Sequence, residues 1–142
     1  MVERSATTAP APVQGSGAAR LVLVVDDEPG VRDLVCRTLR DSGYRTVEAA
    51  HGGEALEIIE GPEPIDLIVT DVVMPGMDGR ELGRRLSQSR PTLPILYMSA
   101  YDVNDIFRRG SPRTSAPFLQ KPFPPDHLIS SVEQLLQRRP AT

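Results

Sequence analysis

Five side chains that could take part in phosphoryl chemistry stand directly after short apolar runs. They are Asp26, Asp27, Asp71, Ser99 and Lys121. In a parallel α/β sheet the carboxyl ends of the strands lie along one edge, and ligands bind there. If each apolar run is a strand, the sheet therefore brings three carboxylates, a hydroxyl and an ammonium to the same edge.

The three carboxylates indicate a metal site. Asp26, Asp27 and Asp71 would repel one another at close range, and one would stay protonated unless a cation neutralised the charge. Hard oxygen ligands favour Mg²⁺, which keeps several waters and takes a phosphate oxygen. An alternative is that Asp26 and Asp27 only cap a helix that begins near Pro29, but this leaves Asp71 unexplained. We therefore predict Mg²⁺ as the cofactor.

The other groups suit the transfer of a phosphoryl group. A carboxylate such as Asp71, exposed at a strand end beside a metal, can act as a nucleophile toward phosphorus. Lys121 and the metal would offset the charge on the phosphoryl oxygens. Lys121 is also the one lysine among 16 basic residues, which favours a position that needs a compact ammonium. Ser99 could donate its hydroxyl to a phosphoryl oxygen, or it could be an ordinary turn residue.

The composition is that of an ordinary globular domain. With 142 residues, 39% hydrophobic and 25% charged, the chain is long enough for one domain with a modest core. A net charge of −3 argues against a nucleic-acid-binding surface. We expect no membrane segment, since no apolar stretch approaches the roughly 20 residues that span a bilayer. The lone Cys36 and the lack of a signal-peptide pattern predict a cytoplasmic protein. The place of Cys36 in a predicted helix indicates a packed or half-buried thiol.

The chain divides into a tail and a domain. Residues 1–19 are rich in Ala, Pro, Ser, Thr and Gly, and we predict a disordered tail or linker there. Residues 20–139 alternate apolar runs with helical stretches, which is typical of a wound parallel sheet. The predicted strands lie near residues 21–25, 44–49, 65–70, 94–98 and 117–120.

Helix signals separate these strands. Pro29 suits the first turn of one helix and Gly43 its end, while Asp78 and Glu81 form a capping box at the start of another. The apolar face of the first helix is predicted from Val31, Leu34, Val35, Thr38 and Leu39. The other helices are predicted near residues 53–60, near residues 102–109 and after Pro125. Five strands and five helices predict a flavodoxin-like α/β fold with strand order 2-1-3-4-5.

Four segments together resemble the receiver domain of two-component response regulators. They are residues 23–28 (LVVDDE), 69–79 (VTDVVMPGMDG), 98–100 (MSA) and 121–123 (KPF). The resemblance covers about residues 20–138. Residues 71–86 and 118–123 also resemble receivers that are fused to hybrid sensor histidine kinases.

This resemblance implies a role for each acidic residue. Asp71 would be the phosphoacceptor, which takes a phosphoryl group from the phosphohistidine of a kinase. Asp27, Asp71 and the backbone carbonyl of Val73 would bind Mg²⁺, with Asp26 helping through water. The chain would then be a signalling domain that assists its own phosphorylation and dephosphorylation, and it would not be an enzyme.

The resemblance also implies roles for residues in the later strands. Lys121 would pair with the phosphoryl group, and its peptide bond to Pro122 would be cis. Ser99 stands where the family has its switch residue, and Phe118 where it has a rotating aromatic. With two charge-assisted hydrogen bonds of about 1.5–3 kcal/mol each, Ser99 and Lys121 together could roughly supply the ~5.5 kcal/mol that inverts a 1:99 equilibrium.

Two stretches depart from the family pattern. Residues 110–117 are rich in Ser and Pro, which predicts a short or mobile fourth helix before them. Val73 and Tyr101 would flank the path of a hydrolytic water, and an apolar valine cannot orient that water. We therefore predict slow self-dephosphorylation.

The expected partners are a histidine kinase or phosphotransfer protein and an unidentified downstream effector, with the chain a monomer or a phosphorylation-dependent dimer. His51 and His127 are predicted to be solvated loop or helix-end residues, so the chain accepts phosphate rather than donating it from histidine. One alternative is a relay or sink receiver excised from a hybrid kinase. A Mg²⁺-dependent nucleotide hydrolase is a remote alternative, since the sequence has no phosphate-binding Gly-x-x-x-x-Gly-Lys-Ser/Thr loop. A phosphatase with an aspartyl nucleophile would require a second acid two residues after Asp71, where Val73 stands.

Overall fold

Five parallel strands form one sheet in the order β2-β1-β3-β4-β5. The computed structural model describes residues 19–100 and 118–138. The strands are β1 (Leu21–Val25), β2 (Arg45–Ala49), β3 (Leu67–Asp71), β4 (Ile95–Ser99) and β5 (Phe118–Gln120). The predicted flavodoxin-like strand order is confirmed. The main shift in bounds is that β3 and β4 include Asp71 and Ser99 as their last residues.

Four helices flank the sheet within the described ranges. They are α1 (Pro29–Asp41), α2 (Gly52–Glu60), α3 (Gly79–Ser89) and α4 (Pro125–Arg138). The helix predicted over residues 102–109 and the Ser/Pro-rich connection over 110–117 lie outside the described residues, as does nearly all of the tail predicted over 1–19. None of the described helices has the length and apolar character that crossing a membrane requires.

Alternate residues of each central strand face opposite helical layers. In β1, Val22 and Val24 pack in the core that α1 and α4 share. Leu21, Leu23 and Val25 pack in the core on the other side, with α2 and α3. Because both faces of the sheet are covered, the central strand β1 is apolar at every position, and this produces its continuous apolar run in the sequence.

Local signals fix where the helices begin and end. Pro29 is in the first turn of α1, and Gly43 follows the helix with a φ of 98°, a left-handed conformation that favours glycine. Asp78 caps α3 by accepting a hydrogen bond from the amide of Glu81 at 3.0 Å. His51 caps α2 by accepting from the amide of Glu54 at 3.2 Å, which confirms it as a helix-end residue.

The predicted apolar face of α1 is wrong at one residue. The helix buries Val35, Cys36 and Leu39, but Leu34 is 56% exposed. Successive helical residues are turned by about 100°, so Leu34 points away from the face that Val35 and Leu39 share. The expectation that Cys36 is a packed thiol is confirmed, and burial raises its pKa to about 11.

Candidate functional site

Buried polar side chains gather at the carboxyl edge of the sheet. Among the described residues, those that are both polar and buried are Asp26, Thr70, Asp71 and Ser99. All four lie at the carboxyl end of β1, β3 or β4 or directly after it. Burying polar groups costs free energy unless other groups satisfy them. Their concentration at this edge therefore makes it the candidate functional site.

Three carboxylates converge there, as the sequence predicts. Oxygen atoms of Asp26, Asp27 and Asp71 all lie within 4.8 Å of one another. Asp26 and Asp71 are buried, whereas Asp27 lies in the turn between β1 and α1 and is exposed. The expectation that Asp71 is exposed at its strand end is therefore wrong, because Asp71 is the last residue of the covered strand β3. A compact set of carboxylate oxygens that includes one solvent-accessible member fits Mg²⁺, which prefers oxygen ligands and retains water.

Lys121 reaches this cluster from the loop after β5. Its Nζ donates to Oδ2 of Asp26 at 3.0 Å and lies 3.6 Å from Oδ1 of Asp71 and 4.0 Å from Oε1 of Glu28. Burial lowers the pKa of the ammonium, but the hydrogen bond to Asp26 and the charges of Asp26, Asp71 and Glu28 outweigh it and raise the pKa above its ordinary value. Lys121 therefore stays a cation in the centre of the site.

The environment of Asp71 disfavours its charged form. The pKa of this carboxyl is raised to about 6, chiefly by burial, and the nearby charges of Asp26 and Asp27 contribute to the rise. Lys121 and the hydrogen bond from the Val72 amide to Oδ1, at 3.1 Å, act in the opposite direction. The site as it stands is therefore short of positive charge, which is consistent with a divalent cation as its complement.

The other predicted site residues lie around this cluster. Ser99 is buried at the end of β4, and its carbonyl accepts from the Lys121 amide at 2.7 Å. The peptide bond from Lys121 to Pro122 is cis, as the resemblance implied. Val73 is two residues beyond Asp71 with an exposed side chain. Phe118 begins β5 beside Tyr97 of β4 and packs against the small apolar cluster of Val72 and Tyr97. Tyr101 lies outside the described residues.

Two residues that the sequence reasoning did not assign support the site. A Cβ atom on Gly79 would overlap the carbonyl oxygen of Asp71 and lie 3.0 Å from Cα of Val72. The Gly79 amide also donates to the Val72 carbonyl at 2.7 Å. The sequence feature that could have indicated this close contact with the backbone is a glycine directly after the helix cap Asp78. The second residue, Arg32, donates from Nη1 to the carbonyl of Asp26 at 2.7 Å. No sequence signal separates it from the other arginines.

A shallow apolar groove of about 190 Å³ borders the carboxylate cluster. It runs between α1 and the start of α4, and Lys121 forms its end nearest the acidic residues. Its wall includes Leu34, which is the exposed apolar residue of α1, and Phe123 and Leu128 from the opposite side. The groove and the carboxylate cluster are therefore continuous through Lys121.

A doubly wound α/β domain with three carboxylates and a lysine at its carboxyl edge belongs to the class of metal-binding phosphoacceptor domains. The chain is a member of one family in this class, the response regulator receiver domain, which matches residues 22–133.

Individual relatives agree with this membership. The chain is 42% identical over 127 residues to the sensor kinase CckA of Brucella abortus, an alignment that spans 87% of this chain and 13% of that protein. It is 42% identical over 118 residues to the response regulator MprA of Mycobacterium ulcerans, which spans 82% of this chain and 50% of MprA. The chain thus covers half or less of each of these relatives.

A solved structure with a bound metal is also similar. The response regulator TrrA from Thermotoga maritima, in complex with Mg²⁺ and BeF, superimposes with a TM-score of 0.69 and 30% sequence identity. The match covers 82% of this chain and 98% of TrrA.

Proposed function

We propose that Asp71 is the phosphoacceptor of this receiver domain and takes a phosphoryl group from the phosphohistidine of a histidine kinase or phosphotransfer protein. The observation that carries this assignment is the convergence of Asp26, Asp27 and Asp71 with Lys121 at one sheet edge. A carboxylate oxygen of Asp71 attacks the phosphorus, the bond from phosphorus to the imidazole nitrogen breaks, and the imidazole leaves with the electron pair.

The residues of the edge divide the supporting work. Asp26, Asp27, Asp71 and the backbone carbonyl of Val73 would hold Mg²⁺, which offsets the charge of the carboxylates and of the phosphoryl oxygens when bound. Lys121 keeps its ammonium 3.6 Å from Asp71 and can pair with a phosphoryl oxygen there. The TrrA complex, which contains Mg²⁺, supports a magnesium site in this fold.

The phosphoryl group would change the conformation of the domain through two residues, Ser99 and Phe118. Ser99 is at the end of the strand next to that of Asp71 and would donate its hydroxyl to a phosphoryl oxygen. Phe118 packs beside Tyr97 and Val72, and we assign it the part of the aromatic that follows Ser99. The altered surface would then control a downstream effector in the cytoplasm. In this proposal the receiver occupies residues 20–139, and residues 1–19 form a tail or linker before it.

The apolar groove beside Lys121 is the best candidate for docking of the phosphodonor. It borders the acceptor and exposes Leu34. Replacing Leu34 by Ser should slow phosphorylation by a phosphohistidine-containing protein and leave phosphorylation by acetyl phosphate unchanged. Equal rates for wild type and variant with the protein donor would contradict this placement.

A relay or sink within a hybrid kinase is the second candidate, and the similarity to the sensor kinase CckA favours it. The two candidates differ in the fate of the phosphoryl group. A relay receiver passes it to a second histidine protein, whereas a response regulator receiver keeps it and binds an effector. Adding an unphosphorylated histidine phosphotransfer protein to the labelled chain distinguishes them.

Intact mass spectrometry tests the acceptor directly. The wild-type chain with acetyl phosphate and Mg²⁺ should gain one phosphoryl group, and this gain should disappear with EDTA. Asp71→Asn should gain none, because an amide cannot form the acyl phosphate. Asp33→Asn removes an exposed aspartate of α1 and should behave as wild type. Full labelling of Asp71→Asn would overturn the assignment.

The lifetime of the acyl phosphate depends, in our proposal, on the residue two after the acceptor. Val73 has an exposed side chain that cannot orient a water by hydrogen bonding. Val73→Asn should therefore shorten the lifetime, because an amide can hold a water near phosphorus. The loss of the phosphoryl mass with time gives the rate, and an unchanged rate would rule out this explanation.

A further inference from the structure

Arg32 connects the turn that carries the first two carboxylates to the neighbouring strand. It lies in the first half of α1. Its Nη1 donates to the backbone carbonyl of Asp26 at 2.7 Å, and its Nε donates to Oε1 of Glu48 in β2 at 3.0 Å. The Arg32 side chain is only 19% exposed, and its bond to the Asp26 carbonyl is partly buried, whereas its bond to Glu48 is exposed. One guanidinium therefore ties two elements together at the edge of the metal site.

We propose that Arg32 is a positioning residue for the magnesium site, which sets the place of the Asp27 carboxylate by holding the peptide group between Asp26 and Asp27. The inference rests on the proposed function, because it concerns the same metal. Arg32 contacts the backbone carbonyl of Asp26, so it acts through the backbone.

The other contacts of Asp26 show why Asp27 is the residue affected. The Asp26 amide donates to the carbonyl of Ala49 at 3.2 Å. Its carboxylate accepts from the Glu28 amide at 2.9 Å and from Lys121 at 3.0 Å. Asp26 is therefore fixed without Arg32. Asp27 lies exposed in the turn, and its position follows from the orientation of the peptide group whose oxygen Arg32 holds.

Holding both acceptors at once requires the planar shape of a guanidinium. Nη1 and Nε of one planar group reach two acceptors on different elements, whereas the ammonium of a lysine is a point charge on a flexible stem. Arg32→Lys therefore keeps the positive charge near the carboxylates and removes the fixed geometry. This variant separates the positioning effect from a purely electrostatic effect on the carboxylate cluster.

A matched control exists in the same helix. Arg40 of α1 also reaches β2, where its Nη1 donates to Oγ1 of Thr46 at 2.9 Å, but this contact is exposed and remote from Asp26. Arg40→Lys makes the same chemical change in the same pair of elements without affecting the turn. Any loss common to both variants therefore reports the packing of α1 on β2.

The experiment is a calorimetric titration of the unphosphorylated protein with MgCl₂ at constant ionic strength. We expect Arg32→Lys to raise the Kd for Mg²⁺ about tenfold, as is typical when a partner that orients a metal ligand is lost. Arg40→Lys should keep the wild-type Kd. Melting temperatures without Mg²⁺ accompany each titration, because a merely structural residue lowers the melting temperature and leaves the Kd unchanged.

Each outcome decides the inference. A wild-type Kd in Arg32→Lys overturns it, and so does an equal rise in Arg40→Lys. If Arg32→Lys does not fold, Glu48→Ala removes the anchor of the guanidinium instead, and an unchanged Kd in that variant overturns the inference as well. If the wild-type chain binds no Mg²⁺, the magnesium site of the proposed function fails with it, whereas binding by wild type and an equal Kd in Arg32→Lys refutes the role of Arg32 alone.

Discussion

Each edge of the sheet carries an ion pair in the described part of the chain, and these two pairs differ in burial. At the carboxyl edge Lys121 and Asp26 pair with side chains that are 16% and 0% exposed. At the amino edge Arg45 and Glu63 pair with side chains that are 49% and 58% exposed. Charges attract and repel more strongly when water is excluded, so the same types of residue have different consequences at the two edges.

The amino edge also has a cleft, and its described lining differs from that of the carboxyl edge. The cleft of about 350 Å³ lies between the loops that precede β3 and β4, and prolines and aliphatic residues form much of its wall, with Arg90 and Glu63 at its exposed rim. In the part of the chain that the structure describes, the group of acidic residues able to hold a metal is at the carboxyl edge. A cleft without buried, converging polar groups offers no comparable chemistry.

Replacing the basic residue of each ion pair should give the largest difference in stability between the two edges. Lys121→Met leaves the buried Asp26 without its ion-pair partner and should lower the free energy of unfolding by about 3 kcal/mol in EDTA. Arg45→Met removes a solvated pair and should cost less than about 1 kcal/mol. Urea unfolding monitored by circular dichroism measures both values. Equal losses would show that burial does not separate the two edges.

A smaller effect is expected from filling the close approach behind Asp71. Gly79→Ala places a methyl group against the Asp71 carbonyl and the Val72 backbone, and overpacking of this kind costs about 2 kcal/mol. Gly30→Ala is the matched control, since nothing lies within 4 Å of its Cβ position in α1. Alanine there should be neutral or should stabilise the helix by up to about 1 kcal/mol. If both variants unfold at the same urea concentration, the proposed steric restriction at Gly79 is incorrect.

The smallest effect should come from an exposed ion-pair group on α3. Hydrogen bonds from Arg84 and Arg85 lower the pKa of Glu81 to about 2. Because the pKa in the folded state is depressed, the contribution of Glu81 to stability is present above its ordinary pKa and is lost as the pH falls from about 4.5 to about 2.

Glu81→Gln should therefore be slightly less stable than wild type at pH 7, and the difference should vanish below about pH 2. The difference at pH 7 should also shrink in high salt, because these side chains are exposed and salt screens them. Thermal unfolding at several pH values measures it. A difference that persists at low pH would mean that Glu81 acts by packing and not by charge.

Much of the fold could be predicted because the local and the global signals agree. The apolar runs became strands since both faces of the sheet are covered, and Pro29, Gly43 and Asp78 mark helix ends through their own backbone chemistry. The order of the strands followed from the alternation of strands and helices along the chain. Leu34 was misplaced, because an apolar residue at nearly the right helical spacing is no proof of burial.

The candidate site was predictable in its membership and not in its support. The chain itself places Asp26, Asp27, Asp71, Ser99 and Lys121 at strand ends, and parallel strands bring their carboxyl ends together. Gly79 and Arg32 escaped notice, because their effect depends on which backbone atoms lie beside them. The carbonyl oxygen of Asp71 leaves no room for a side chain at Gly79, and the carbonyl oxygen of Asp26 accepts a hydrogen bond from Arg32.

The sequence by itself determined which side chains carry chemistry and at which edge they meet, since residue type and strand periodicity are local properties. The tertiary structure decided how strongly these side chains act on one another. The raised pKa of Asp71 and the pairing of Lys121 with Asp26 depend on burial and on distances between residues far apart in the chain. Those quantities exist only once the helices cover the sheet and exclude water from its edge.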